Sequence, residues 1–374
     1  MIVAVAGAIA WLVGAWLDWT EFASVAAGCI VVLIVASVFM VGRDRIAVGI
    51  ELQPQRLVNG DTASGRIEAI NETGRRILPF RLEAPVGEGI VRSDVPSLAS
   101  GAQHEDLFLI PTVRRGVIPV GPARSVRGDP LGLMRREVAW TEPISLYVHP
   151  TTVLLAGLAS GWIRDLEGMA TNDLSPSDVA FHTLREYVPG DDRRHVHWRT
   201  SARVGTLMVR QFVDTRRSHL AVIVDCAQDR YANDDEFELA MSVAASMGLR
   251  ALGDDQALTC VAGARVIPCH SGDALLDGIA GVQFGDGPEE LADAVMGAVH
   301  AVAGASVVAV ISGSNTAIPE LRLAAQWLPV DLRVLSVRAD LGGRSAYRPA
   351  GTTSVLDVAE LDSLQQLLRA AGGL

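Results

Sequence analysis

Lysine is absent from this sequence of 374 residues, in which all 32 basic residues are arginine. An arginine guanidinium presents a planar fork of donors, so every basic residue of the protein can form bidentate hydrogen bonds. The 43 acidic residues give a formal net charge of −11. Because a dedicated nucleic-acid-binding protein normally carries a basic domain, this balance argues against nucleic acid as a partner.

Cysteine is scarce and several common motifs are missing. The four cysteines, at positions 29, 226, 260 and 269, include no CxxC pair and no zinc-binding spacing, which is typical of a reducing compartment. The sequence has no P-loop, no G-x-G-x-x-G fingerprint and no G-x-S-x-G elbow. These absences exclude the familiar nucleotide-binding loops and the usual hydrolase nucleophile.

Charge is also missing from two N-terminal runs, residues 2–17 and 22–42, which are separated by Asp18-Trp19-Thr20-Glu21. A helix needs about 20 residues to cross a bilayer, and the second run meets that length. We expect residues 1–42 to form a hairpin of two transmembrane helices with the lipid bilayer as a partner. A signal peptide is the alternative, but the first run lacks a basic n-region and an A-x-A site.

The orientation of this hairpin follows from its flanks. Arg43 and Arg45 come directly after the second run, whereas the loop between the runs carries only Asp18 and Glu21 as charged residues. The positive-inside rule places the arginine end in the cytoplasm. We therefore expect a multi-pass protein of the cell (inner or plasma) membrane with the bulk of the chain cytoplasmic.

Residues 46–150 show no helical periodicity. Short alternating or β-branched runs such as "IAVGIELQP", "ILPFRLEAP" and "ISLYVHP" are separated by glycine, proline, asparagine or aspartate. This pattern predicts a β-sandwich-like middle domain.

Residues 218–374 alternate between apolar strands and helices, which predicts an α/β doubly wound open sheet. The predicted strands are "HLAVIVD", "QALTCVAG", "SVVAVIS" and "DLRVLSV", and the predicted helices cover about 235–252, 273–281, 289–303, 317–327 and 355–371. Ligands bind at the carboxyl ends of the strands in such sheets. The candidates there are Asp225, Asp229, Ser312, Ser314 and Asn315.

This C-terminal region resembles a von Willebrand factor A domain, whose first strand ends in the metal-binding pattern D-x-S-x-S. Here the stretch reads Asp225-Cys226-Ala227-Gln228-Asp229, and Ser312 or Gly313 stands where the family has a later aspartate. Mg²⁺ requires near-octahedral oxygen ligation, and the lost groups leave too few protein oxygens. We expect no cofactor and predict that Asp225 and Asp229 cap the following turn and helix; Mg²⁺ held by these two residues is the alternative.

Residues 151–217 join the two domains and contain "LREYVPGDDRRHVHWRTSARVGTLMVRQF", residues 184–212. We predict an extended stretch at 184–187, a turn at Pro189-Gly190, and a helix over about 192–203 with Asp191 or Asp192 as N-cap. Gly205 should end the helix, and a strand should follow it.

This run looks like the signature of the domain of unknown function 58 family, and "RRGVIPVGPARSVRGDPLGL" at 114–133 is similar to a second block of that family. With the predicted membrane segment and the A-type domain, the resemblance extends over essentially the whole chain. It implies a bacterial membrane-anchored protein that acts with a MoxR-type AAA+ ATPase in envelope or complex assembly, with the A-type domain offered to the ATPase.

The signature contains no convincing catalytic arrangement. Asp191 and Asp192 diverge if they begin a helix, and His195 and His197 would not share a helical face. We predict first an arginine-rich brace between domains, and second a recognition surface for a protein partner. The residues that carry either role are Arg185, Tyr187, Gly190, Asp191, Asp192, Arg194, His197, Trp198, Arg199, Ser201, Arg203 and Arg210.

These observations favour a membrane-anchored, non-enzymatic adaptor or scaffold that binds a protein partner of the MoxR type. One alternative is a metal-dependent hydrolase that uses Asp191, Asp192 and the nearby histidines. Another is an adhesion module that faces outward, which requires the reverse membrane topology.

Overall fold

The computed structural model describes residues 2–40, 46–128, 132–156, 179–188, 191, 196–214, 219–330, 332–350 and 353–372. The chain divides into two compact units, Met1–Thr151 and Thr152–Leu374. The first unit contains the N-terminal helices and the sheet-rich region. The second contains the signature segment and the α/β region.

Two apolar helices open the chain, α1 (Ile2–Leu17) and α2 (Thr20–Met40). Among the described residues, α2 is the one helix long and apolar enough to cross a membrane, with a mean hydropathy of 2.0 over Thr20–Ser37. The apolar part of α1, Val3–Leu17, is shorter than that length. The described part of the chain therefore has one candidate membrane-crossing helix, near the N-terminus.

Small residues let α1 and α2 approach each other closely. A Cβ atom on Gly7 would lie 2.9 Å from Cβ of Cys29, and one on Gly14 would lie 3.1 Å from the backbone nitrogen of Ala23. The N–H of Trp19 donates to the carbonyl of Gly14 (3.1 Å) where the chain reverses. Small residues that allow such contact are typical of helix pairs in lipid.

Strands make up the rest of the first unit. They are β1 Ile46–Gln53, β2 Arg56–Val58, β3 Thr62–Asn71, β4 Phe80–Val86, β5 Gly89–Val95, β6 Gln103–Pro111, β7 Gly116–Val120, β8 Arg124–Gly128, β9 Arg135–Ala139 and β10 Ile144–His149. One sheet has the order β1-β3-β6, and the other has the order β2-β10-β7-β4-β8-β9 with β5 paired to β4. The expected sheet-rich middle region is confirmed.

A single hydrophobic core joins the inner faces of these two sheets. Ile67 of β3 and Leu82 of β4 are each 1% exposed and belong to the same cluster of buried residues, together with Leu146 of β10. Residues alternate between buried and exposed along β3, so one face of that strand packs inward. Burial of these alternating aliphatic side chains is the main source of stability for this unit.

Leu82→Ala is expected to destabilise the first unit by about 2–5 kcal/mol, because it leaves a cavity in this core. Leu107→Ala is the matched control, since Leu107 lies in the same unit and is 70% exposed; its effect should stay within about 0.5 kcal/mol. Hydrogen exchange of β4 and β10 in the full-length protein measures both. Equal effects of the two substitutions would contradict the assignment of this core.

The second unit begins with a two-stranded antiparallel sheet and continues into a seven-stranded sheet. Its strands are β11 Val179–Glu186, β12 Met208–Asp214, β13 His219–Val224, β14 Ala257–Ala262, β15 Arg265–Ile267, β16 Val307–Gly313, β17 Arg333–Ala339, β18 Ala346–Ala350 and β19 Thr353–Val358. Its helices are α3 Trp198–Val204, α4 Asp234–Gly253, α5 Gly272–Ala280, α6 Leu291–Ala298, α7 Ile318–Ala325 and α8 Leu364–Gly372.

The large sheet has the order β15-β14-β13-β16-β17-β19-β18, and only its outer strands, β15 and β18, run antiparallel to their neighbours. Helices α4, α5 and α8 share a core with one face of the sheet, and α6 and α7 share a core with the other. Val222 and Val224 point into the first core, whereas Ala221 and Ile223 point into the second. The expected α/β region is confirmed, and β13 is buried on both faces as its apolar sequence indicates.

Two of the predicted helices in this unit are wrong in extent. Residues 355–358, which were assigned to a helix over 355–371, belong to β19 instead, and the helix begins at Leu364. Periodicity does not distinguish a short, fully buried strand from a buried helix, and the apolar residues of "TSVLDV" fit both. The helix expected over 289–303 is confined to Leu291–Ala298, and strands β15 and β18 were not predicted.

Candidate functional site

A row of polar side chains crosses the carboxyl edge of the large sheet. Ser312 of β16 is in register with Arg338 of β17, which is in register with Asp357 of β19. Asp225 directly follows β13, and its N–H donates to the carbonyl of Ile311 (2.8 Å), next to Ser312. We call Asp225, Ser312, Arg338 and Asp357 the carboxyl-edge row; Asp225, Ser312 and Asp357 are buried.

The Asp225 end of the row is held by hydrogen bonds. One carboxylate oxygen accepts from the N–H of Ala227 (3.0 Å) and the other from the hydroxyl of Ser312 (3.1 Å). The Ser312 hydroxyl also contacts that of Thr316 at 2.6 Å. Burial away from water raises the pKa of the Asp225 carboxyl, although these two hydrogen bonds and the charge of Arg230 act to lower it.

Two arginines balance the charge at the other end of the row. Nε of Arg338 donates to one Asp357 oxygen (2.7 Å), and Nε of Arg348 lies 2.7 Å from the other. Arg338 also donates through Nη1 to the carbonyl of Thr316 (3.1 Å). Thr316 therefore links the two ends, and a continuous polar chain runs from β13 to β18.

Arg230 covers the end of β13. Its Nη1 donates to both carboxylate oxygens of Glu320 (3.0 and 3.1 Å), and its Nη2 donates to the carbonyl of Glu289 (2.8 Å). Nε lies 4.0 Å from the Asp225 carboxylate and 3.8 Å from that of Asp229. The side chain is only 12% exposed, so the guanidinium is enclosed by these acidic and carbonyl groups.

The crevice between β13 and β16 is the topological switch point of this sheet, where open α/β folds commonly bind ligands. Here the loop after β13 fills this crevice. The Tyr231 hydroxyl donates to the carbonyl of Asp225 (2.5 Å), and a Cβ on Gly313 would lie 2.3 Å from the carbonyl oxygen of Arg230. Only glycine permits that approach, so the loop after β13 closes against the end of β16.

The residues present do not fit a Mg²⁺ ion. Both oxygens of Asp225 already accept hydrogen bonds, Ala227 offers no side-chain oxygen, and the Asp229 side chain is 71% exposed rather than turned inward. Mg²⁺ needs six oxygens in near-octahedral geometry. Among the described residues, no group of three or more histidine, cysteine, aspartate or glutamate side chains is placed to hold a metal.

Asp225 and Asp229 have different roles in the local structure. Asp225 closes the turn that follows β13 through the N–H of Ala227. Helix α4 is capped by Asn233, whose side chain accepts from the N–H of Glu236 (2.9 Å), and not by Asp229. The expectation that Asp229 caps this helix is wrong, because the turn at Gln228–Arg230 ends before the helix begins.

In the signature segment, Arg185 and Asp191 form a bidentate pair with distances of 2.7 and 2.6 Å. Asp191 also accepts from the N–H of Val188 (2.9 Å) and so closes a turn rather than starting a helix. The hydrogen bonds from Arg185 and from Val188 lower the pKa of Asp191. Both side chains lie partly in solvent, where such a pair contributes little stability.

Helix α3 begins later than predicted, at Trp198, with His197 as its N-cap. The His197 ring accepts from the N–H of Thr200 (3.2 Å) in place of the expected aspartate. Gly205 ends the helix with a positive φ of 83°, as predicted. Gly190, Asp192 and Arg194, together with His195 and the side chain of Arg210, lie outside the described residues.

Ser201 joins α3 to the neighbouring strand. Its hydroxyl donates to the carbonyl of His197 (3.1 Å) and accepts from the N–H of Met208 (2.8 Å). The N–H of His197 also donates to the carbonyl of Met208 (2.7 Å), and that of Tyr187 to Leu207 (2.8 Å). Since Ser201 is buried, these bonds fix α3 against the start of β12.

The opposite side of α3 is open to solvent. Trp198 is 67% exposed, and Arg199 and Arg203 are exposed and make no ion pair with another described residue. We call the exposed side chains of this helix the α3 surface: Trp198, Arg199, Ala202, Arg203 and Val204. Within the second unit these side chains are exposed. The arginine-rich brace between the domains stays a prediction.

The signature segment is similar to a known protein family. The sequence model of the family described as "Protein of unknown function DUF58" matches residues 183–339. That match runs from the signature through β17 and confirms the expected resemblance over this part of the chain, which is less than half of its length.

One curated relative is the uncharacterized protein YeaD of Bacillus subtilis (strain 168), which is 28% identical over 193 residues. The aligned region covers 48% of this chain and 47% of YeaD, so the chain spans about half the length of that relative.

Similarity to solved structures is low. The CARDB domain of a Pyrococcus furiosus protein has a TM-score of 0.22 at 13% identity, covering 28% of this chain and 93% of that one. The PKD domain of an M14-like peptidase from a Thermoplasmatales archaeon has a TM-score of 0.17 at 17% identity, covering 27% and 100%. Both TM-scores are too low to indicate a shared fold.

Sequence reasoning identified Asp225 and Ser312 but missed Arg230, Arg338 and Asp357. A signal for two of them was present, because "RVLSVR" and "TSVLD" each end in a charged residue after an apolar strand, as "HLAVIVD" does. Parallel strands that end in this way bring those side chains to one edge. The role of Arg230 depends on Glu289 and Glu320, which are far away in sequence, so no local pattern indicates it.

Asp225→Asn tests the buried carboxyl of the row. Because folding raises the pKa of Asp225, the folded protein keeps this proton to a higher pH than the unfolded chain does. The stability of the wild type relative to the variant should therefore fall as the pH rises above the ordinary value of 3.8 and level off above the raised pKa. Hydrogen exchange of β13, compared between the two proteins at each pH, measures this difference; a pH-independent difference would contradict it.

Proposed function

We propose that the protein is a membrane-anchored, non-enzymatic adaptor that binds a protein partner through the α3 surface. The observation that carries this proposal is the exposure of Trp198, Arg199 and Arg203 on a helix fixed by buried hydrogen bonds. Tryptophan and arginine are the residue types most enriched at the energetic centres of protein interfaces. A rigid helix that presents them loses little conformational entropy on binding.

The hydrogen bonds that engage Asp191 and Asp225 support an adaptor rather than a hydrolase. Asp191, a proposed acid or base of the hydrolase alternative, is already engaged by Arg185 and by the N–H of Val188. At the switch point, Asp225 is buried and bonded to Ala227 and Ser312. A general base needs an oxygen that can accept the proton it removes, and the oxygens of both carboxylates are engaged by these hydrogen bonds.

The partner class comes from the family resemblance. The DUF58 match and the doubly wound sheet with helices on both faces support the view that the second unit is a von Willebrand factor A-like domain. On that analogy the partner is a MoxR-type AAA+ ATPase, and the adaptor presents it to an assembly process in the cell envelope. The α3 surface belongs to the same unit as this sheet, so both features act from one body.

Trp198→Ala is expected to weaken binding of a MoxR-type ATPase to the full-length protein in nanodiscs by about 30-fold, because it removes the aromatic anchor. Arg199→Ala should cost about tenfold. Trp327→Ala and Arg322→Ala are matched controls, since both residues are exposed in the same unit but are not part of α3. Arg322 lies in α7, and Trp327 follows that helix. Fluorescence titration in the presence of ATP and of ADP measures each affinity.

Two outcomes would contradict this proposal. Absence of binding in every nucleotide state would count against the ATPase as partner. Equal losses from Trp198→Ala and Trp327→Ala would place the contact away from the α3 surface.

For the membrane anchor, we propose that α1 and α2 both cross the bilayer as a multi-pass hairpin, with residues 46–374 in the cytoplasm. The close contact between the two helices at Gly7 and Gly14 supports this arrangement, as do Arg43 and Arg45 after the second helix. A short apolar helix is accommodated when it packs against a longer neighbour or when the bilayer thins around it.

Protease digestion of intact cells tests this topology. Residues 46–374 should be protected until the membrane is permeabilised, and a cytoplasmic protein of the same cells serves as the control for integrity. Digestion without permeabilisation would instead support the outward-facing adhesion module.

A further inference from the structure

The carboxyl group of Asp225 is buried, and both of its oxygens accept hydrogen bonds, as those of an ionised carboxylate do. Ala227 and Ser312 donate to it but are themselves uncharged. A buried carboxylate without an opposite charge is strongly disfavoured. A cationic group at the end of β13 would therefore stabilise the ionised form of Asp225.

Arg338 does not serve this purpose, although it lies in the same row. Its Nε donates to Asp357, and its Nη1 donates to the carbonyl of Thr316. Within the described part of the chain, the ion pair recorded for Asp225 is with Arg230, at 4.0 Å from Nε. That Nε is buried and donates to no described hydrogen-bond acceptor, and it lies 4.0 Å from the carboxylate of Asp225 and 3.8 Å from that of Asp229.

Arg230 also connects three segments that meet at the carboxyl edge. It lies on the turn after β13, binds Glu320 of α7 through its side chain, and binds the carbonyl of Glu289 before α6. A metal ion at a switch point would bridge loops in the same way, by drawing several oxygens around one positive charge. Here the charge comes from the chain itself.

We propose that Arg230 is the resident cation of this site: its guanidinium takes the place that a divalent cation would otherwise take between Asp225 and the neighbouring acidic loops. The loops after β13 and β16 are then held together without metal, and the site is closed to one. This inference does not depend on the adaptor proposal, because it concerns how the edge is assembled rather than what binds the protein.

The competing explanation is that Arg230 forms an ordinary surface salt bridge with Glu320 and has no bearing on Asp225. Exposed pairs of that kind contribute little stability, and Glu320 is half exposed. The two explanations differ in whether substitutions at Arg230 and Asp225 depend on each other.

The experiment is a double-mutant cycle in the full-length protein in detergent, with hydrogen exchange of β13 and β16 as readout. Arg230→Gln should raise the opening equilibrium constant of this edge by about 100-fold, because it leaves the Asp225 charge buried and unpaired. Asp225→Asn alone should change it by less than about tenfold. The double variant should resemble Asp225→Asn, since the charge that needed a partner is gone.

Glu320→Gln is the matched control, because it removes the exposed carboxylate that pairs with Arg230 and leaves the contact between Arg230 and Asp225 in place. Its effect should be small. Effects of Arg230→Gln and Asp225→Asn that simply add would overturn the proposal, as would an Arg230→Gln variant no less stable than Glu320→Gln. If Arg230→Gln does not fold, recovery of folding in the double variant supports the proposal and continued failure contradicts it.

A second arm uses Mg²⁺ and Mn²⁺ directly. Exchange at β13 and β16 in the wild-type protein should be the same with either ion at millimolar concentration as with a chelator. Saturable protection of these strands by Mg²⁺ or Mn²⁺ in the wild type would show that the site accepts a metal and that Arg230 does not replace it.

Discussion

The buried carboxylate of Asp225 imposes the constraint around which the carboxyl edge of the second unit is built. A charge at this depth requires donors and a counterion. Ala227 and Ser312 supply the donors, and Arg230 supplies the positive charge. Meeting these needs brings the turn after β13, the end of β16 and the start of α7 into contact, which fills the crevice where many related sheets hold a ligand.

With the switch point filled, the features available for recognition lie elsewhere in the unit. Helix α3 has only seven residues and would be marginal in isolation. It is held by Ser201 and by the backbone of His197, both bonded to Met208. These bonds fix the backbone that carries Trp198, and an exposed ring on a fixed helix is suited to contact with another protein.

The sequence was sufficient for features that depend on local pattern and insufficient for those that depend on distant pairs. The apolar run of β13 and the glycine that ends α3 were both predictable, because each follows from the conformation of a few consecutive residues. The cap of α3 was not, since Asp191 is drawn away by Arg185 into a turn and His197 takes its place. Arg230 was missed for the same reason, because its partner Glu320 lies 90 residues away.

The carboxyl-edge row has one more consequence, for the alignment of the strands. Along β13 and β16 both faces are apolar, so a shift by one residue would still bury aliphatic side chains on each side. Such a shift in β17 would turn Arg338 to the other face and away from Asp357 and Thr316. The polar row therefore marks a single register in strands whose hydrophobic residues alone would tolerate several.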